Sequence, residues 1–97
     1  MDLTEYRREL DELDAKLLDL FLTRLAICAD IARYKQAHSL PVYDPARERE
    51  KLAVLTGACP AEAAEDVRAL FEKVISLCRA EEYRLLDRSA QSEGADL

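Results

Sequence analysis

The chain has 97 residues, a formal net charge of −6, 49% hydrophobic and 35% charged residues, two glycines and three prolines. That length allows one domain at most, and the composition is that of a helical globule rather than a disordered segment. The acidic balance argues against a nucleic-acid or anionic-membrane partner, since either needs a basic stripe, yet a few local cations are enough to hold a small anion.

No apolar run approaches the ~18 residues of a membrane span. The opening "MDLTEYRREL" is charged at once and has no signal-peptide core. Cys28, Cys59 and Cys78 are odd in number and form no CxxC pair. Neither a disulfide framework nor a zinc site is expected, and a reducing cytoplasm is the default setting. With His38 the sole histidine, a Ser-His-Asp triad is not expected, nor is a histidine-rich metal site.

A seven-residue repeat opens the chain. Leu3, Leu10, Leu17, Arg24, Ile31 and His38 fall on one line, and Tyr6, Leu13, Leu20, Ile27 and Tyr34 on its companion. Without glycine or proline inside, this predicts a first helix of about five heptads with an apolar seam, stopped near "HSLPV" by Pro41. A second helix should start at Pro45, capped by Asp44, and run to about Thr56, with Gly57 as its stop. Pro60 opens a third, whose apolar positions include Val67, Leu70, Phe71, Val74, Ile75, Cys78 and Leu85. Residues 1–88 form an all-helical domain on this reading, and 89–97 a polar, mobile tail. A first helix of ~35 residues spans ~50 Å, against a radius of gyration near ~13 Å for a globule of ~100 residues. Its own chain cannot cover it, so a symmetric dimer is expected.

Arg24 interrupts the seam, and Lys35 lies eleven residues on, almost three whole turns, which puts both on one face ~16 Å apart. A buried cation without a partner is costly, so something negative must meet this pair. A salt bridge within or between chains would do so, as would a small anionic ligand gripped between them. Arg7 is seventeen residues earlier, ~25 Å along the helix. Pairing two such helices antiparallel near Leu18 would bring Arg7 of one chain between Arg24 and Lys35 of the other. If the second helix folds back beside the first, Asp44, Arg47 and Glu48 approach the Lys35 end, with Asp44 and Glu48 on one face at i,i+4 spacing. Four cations and two carboxylates suit a small dianion bearing a hydroxyl or an amine.

In this ordered combination the chain resembles the all-helical chorismate mutase family, over roughly Leu3 to Leu86 and most strongly in "RRELDELDAKLLDLFLTRLAICADIARYKQ" and "PVYDPARERE". The resemblance implies two intertwined three-helix chains, with chorismate as substrate and prephenate as product. It implies that Arg7 of the partner chain and Arg24 bind the substrate carboxylates, assisted by Arg47. Lys35 would bond a carboxylate and the ether oxygen, and Asp44 and Glu48 would address the ring hydroxyl. The reaction is a unimolecular Claisen rearrangement needing no nucleophile, metal or cofactor. Conformational positioning and cations beside the ether oxygen are what the protein must supply.

By the same correspondence Cys78 falls at a substrate-binding position where a serine often sits, and Glu82 at a catalytic one where a glutamine often sits. Read from residue type alone, Cys78 is a small core residue. An ether oxygen only accepts, so Glu82 must be protonated to help. A 4-amino-4-deoxychorismate mutase of the same fold stays open, because Asp44 and Glu48 suit an ammonium as well. A lyase acting on isochorismate fits the acidic Asp44–Glu48 stretch less well. The non-enzyme reading is an antiparallel helical dimerisation module. The chain leaves no room for a separate regulatory domain, so feedback control within it is not expected.

Overall fold

The computed structural model describes residues 1–95, with side chains through residue 88. It contains three α-helices: α1 (Leu3–Ala37), α2 (Pro45–Gly57) and α3 (Ala64–Ala95). A single 3₁₀ turn, Ala61–Ala63, leads from Pro60 into α3. The fold is all-α, as expected.

Each boundary has a local cause. Asp2 caps α1 in a reciprocal box: its Oδ1 accepts the Glu5 backbone N–H at 2.9 Å, while Glu5 Oε2 accepts that of Asp2 at 3.3 Å. At the other end Ser39 adopts the left-handed region, φ 57°. The Leu40 N–H then reaches back to the Lys35 carbonyl at 2.8 Å and the Ser39 N–H to that of Gln36 at 3.3 Å. This is a Schellman stop with serine where glycine is usual; Pro41 follows the turn rather than making it. Asp44 caps α2 through the Arg47 N–H at 3.1 Å, and Pro45 supplies the preset φ of its first turn. Gly57 is the last residue of α2, and the cap is Ala58 in ordinary right-handed geometry. The backbone of α3 stays helical past residue 88, to Ala95. The tail expected to be mobile, 89–97, lies largely outside the described residues: its side chains from 89 onward, and residues 96 and 97 entirely.

The second helix does not fold back directly beside the first, the arrangement considered as a way to bring Asp44, Arg47 and Glu48 to the Lys35 end. α3 packs on α1 and on α2, whereas α2 does not lie along α1. α2 has only a short apolar strip, with Leu52 and Leu55 half-buried, and α3 offers the matching stripe of Val67, Phe71 and Ile75. α2 therefore reaches the Lys35 end of α1 by way of α3 and the connecting loop, whose Val42 is buried.

The resulting molecule measures 63 × 30 × 15 Å, with a radius of gyration of 17.7 Å. The thin dimension is little more than one helix diameter. Its accessible surface is 7530 Å², where a compact chain of this mass would show about 5,600 Å². The buried apolar residues among those described are only Ala32, Val42, Ile75 and Cys78. Three of the four, Val42, Ile75 and Cys78, line the site. Among the described residues no helix is long and apolar enough to cross a membrane.

Candidate active site

The three elements meet around one open cleft of about 210 Å³. α1 contributes Arg24, Cys28, Ile31 and Lys35, one per turn at spacings of three and four. The start of α2 contributes Asp44, Arg47, Glu48 and Lys51, again one face of a helix. α3 contributes Ile75, Cys78, Arg79 and Glu82. Seven of the eight residues singled out in the sequence thus line one cavity. Arg7 does not; it is exposed near the far end of α1.

Arg24 is half-buried, and among the described residues its guanidinium is met by sulfur alone. Nη1 lies 2.7 Å from Cys78 Sγ and 3.9 Å from Cys28 Sγ, and no carboxylate among the described residues lies within ion-pair distance of it. Thiols accept weakly. Burial, and next the neighbouring Cys78, push the Cys28 thiol up to about 11, so it stays neutral and supplies no counter-charge at pH 7. Arg24 therefore presents a nearly uncompensated cation.

Lys35 Nζ donates to the Val42 carbonyl at 2.8 Å, which ties the loop after α1 to the site. It also lies 3.5 Å from Glu82 Oε1. The salt bridge that the sequence left open as a partner for the Arg24–Lys35 pair is thus present for Lys35 and absent for Arg24. Glu82 is only 7% exposed, and its Oε1 makes no well-formed hydrogen bond, so Lys35 meets it as a loose ion pair. Burial pushes the Glu82 carboxyl above the usual carboxylate range; Lys35 and, less strongly, Arg24 pull the other way, and Glu48 adds to the rise.

At the α2 end, Arg47 turns outward to Glu50, with Nη1 3.2 Å from Oε1, while its backbone N–H is held by Asp44. Glu48 faces inward and pairs with Arg79. Arg79 also lies over the Tyr43 ring, its guanidinium carbon 4.8 Å from the ring centre. Arg79 and Lys51 are site residues that the sequence reading passed over. Lys51 follows Glu48 by three residues on the same helical face, and Arg79 precedes Glu82 by three, so helical spacing carried a signal for both.

The lining holds five cations, Arg24, Lys35, Arg47, Lys51 and Arg79, against three carboxylates, Asp44, Glu48 and Glu82. In a chain of net charge −6, positive charge is concentrated where the three elements meet. The profile of the chorismate mutase type II family matches residues 6–83, from Tyr6 through the last turn of the cleft. The chain belongs to that family. It is 36% identical over 83 residues to a 4-amino-4-deoxychorismate mutase of Streptomyces pristinaespiralis, covering 78% of this chain and 61% of that one. A chorismate mutase of Methanocaldococcus jannaschii is 38% identical over 47 residues, 48% of each chain. A 3-dehydroquinate dehydratase of Pyrobaculum aerophilum is 35% identical over 74 residues, 76% of this chain and 22% of that protein. The chain spans less than two thirds of each of these relatives. No solved structure matches it. Within the matched span lie all eight residues picked out in the sequence, Arg7 included.

Proposed function

We propose that the chain is a chorismate mutase, converting chorismate to prephenate by an intramolecular Claisen rearrangement in phenylalanine and tyrosine biosynthesis. The observation that carries this reading is Arg24, a half-buried cation held only by thiols on the floor of a cleft with surplus positive charge. A cation so placed requires an anion to complete it, and a dianion matches the surplus. The chemistry breaks a C–O bond and forms a C–C bond within one molecule. The protein must fold the enolpyruvyl arm over the ring and stabilise charge on the departing ether oxygen.

In this reading Arg24 and Arg7 of the partner subunit hold the carboxylates, with Arg47 assisting from the rim. Lys35 is shared between a carboxylate and the ether oxygen, and a protonated Glu82 donates to the same oxygen. Asp44 and Glu48 receive the ring hydroxyl. Cys78 seats the Arg24 guanidinium. The functional unit is residues 1–88, with 89–97 a tail outside it. The active form is an intertwined homodimer, supported by the excess surface and by a cleft smaller than the ~300–1,000 Å³ usual for small-molecule pockets. Three free cysteines suit a reducing cytoplasm.

The second reading is a 4-amino-4-deoxychorismate mutase, favoured by the name of the Streptomyces pristinaespiralis relative. Incubation with chorismate, with its 4-amino analogue and with isochorismate, followed by product identification, separates these readings. Prephenate from chorismate is the expected result; turnover of none of the three leaves a helical dimerisation module.

A further inference from the structure

The end of the cleft formed by α2 holds its two carboxylates in unequal states. Asp44 Oδ1 accepts the Arg47 backbone N–H as a helix cap, which places it at the positive end of the α2 dipole. Glu48 is ion-paired to Arg79, and Arg79 is held in place from its other side by the face of Tyr43. Lys51 lies three residues beyond Glu48 on the same face and also lines the cleft. Neither carboxylate is therefore a free negative charge, although both keep lone pairs unused.

We propose that Arg79 determines specificity: by pairing with Glu48 it makes this end of the site accept a neutral hydroxyl on the ring and reject an ammonium. The inference rests on the function proposed above and decides between its two substrates. A hydroxyl needs only an acceptor, which a paired carboxylate still provides. An ammonium must be compensated for lost hydration by net negative charge, and here it would compete with a guanidinium for one carboxylate. Arg79 acts through Glu48, so it is a positioning residue. Its effect is uniform along the reaction because the ring substituent carries the same charge before and during the rearrangement. The discrimination consequently belongs in KM rather than kcat.

The test measures kcat and KM for chorismate and 4-amino-4-deoxychorismate with the wild-type chain, Arg79→Gln and Arg79→Lys. The ratio of the two kcat/KM values within one sample is independent of how much of that sample is folded. The wild type should prefer chorismate. Arg79→Gln should move the ratio toward the amine about ten-fold, the size of a like-charge contact at a partly exposed site, with the shift carried by KM. Arg79→Lys, which keeps the charge, should retain most of the preference. A wild-type preference for the amine, or a ratio within two-fold of wild type in Arg79→Gln, overturns the assignment while leaving the mutase activity standing. Turnover of neither substrate by the wild type overturns the proposed function, and the selection with it.

Discussion

The two halves of α1 carry the same heptad pattern and end in opposite environments. From Leu3 to Leu20 every residue is exposed, the seam leucines Leu10 and Leu17 by 57% and 60%. From Phe21 to Ala37 the helix leans on α3, Ala32 is fully buried, and the site residues Arg24, Cys28 and Lys35 are drawn in. Periodicity makes an amphipathic helix, but it does not say what covers the apolar side. In the second half α3 covers one flank, taking in Cys28, Ala32 and Lys35, while the seam residues Ile27, Ile31 and Tyr34 stay exposed; among the described residues the first half has no cover at all. The half without cover also carries Arg7, the one expected site residue missing from the cleft. The homodimer proposed above, a second copy of the chain laid antiparallel along the seam, would close both gaps.

The largest effect should come from breaking that seam. Leu10→Glu combined with Leu17→Glu sets like charges in the proposed interface. The wild type should sediment at about twice the 11.0 kDa chain mass, whereas the double variant should lose the dimer, much of its helicity and all turnover. A folded, active monomer would show that the exposed half of α1 needs no partner.

Next in size is the loss of a cation. Arg24→Ala and Lys35→Ala, on the covered half, and Arg7→Ala, on the exposed half, should each keep the fold and lower kcat/KM about 100-fold or more. The comparison sharpens on mixing. Lys35→Ala and Arg7→Ala chains, combined under subunit exchange, give mixed dimers in which one pocket holds both lesions and the other neither. Recovered activity approaching one native site per mixed dimer is expected. No recovery, with exchange verified by sedimentation of tagged chains, would place Arg7 outside the pocket.

The same two halves mark how far the sequence could be read. Local chemistry was legible: the Asp44–Pro45 start of α2 and the helical spacing of Arg24 and Lys35 follow from short-range rules, and the structure brings those residues into one cleft. The Schellman stop was not, because a serine at φ 57° leaves no mark in composition; only Pro41 behind it was visible. Arg79 was missed for a different reason. Its spacing from Glu82 put it on the right face of α3, but its pairing depends on α2 lying against α3, a contact with Glu48 about thirty residues away that no spacing rule encodes, and on Tyr43 from an irregular loop. The packing of α2 on α3 rather than on α1 was illegible for the same cause, since amphipathic faces show that a partner is needed and not which one.

The smallest effect, and the most diagnostic of the covered half, concerns Glu82. Lys35 and Arg24 from α1, Glu48 from α2 and the Cys28 thiol surround it, and the net result of burial against these charges is a raised pKa. A raised folded-state pKa means that the native chain binds a proton more tightly than the unfolded one. The stability so gained is complete below the unfolded value and is lost as pH rises through the folded one. Melting temperature should therefore fall by a few degrees between pH 5 and pH 8, and Glu82→Gln should remove that slope. Catalysis should follow the same proton. A carboxylate beside the ether oxygen repels the charge that develops there, whereas a carboxylic acid donates to it. An unperturbed glutamate would be only ~0.2% protonated at pH 7, and both burial and a bound dianion that draws Lys35 away favour more of the acid form. The rate should climb as pH falls from 8 toward 5, and Glu82→Gln should flatten the profile and equal or exceed the wild type at pH 7.5, by less than about ten-fold. A wild-type profile flat from 5 to 8, unaltered by the glutamine, would mean that the buried carboxyl has no part in the chemistry and that α3 supplies the site only with Cys78 and Arg79.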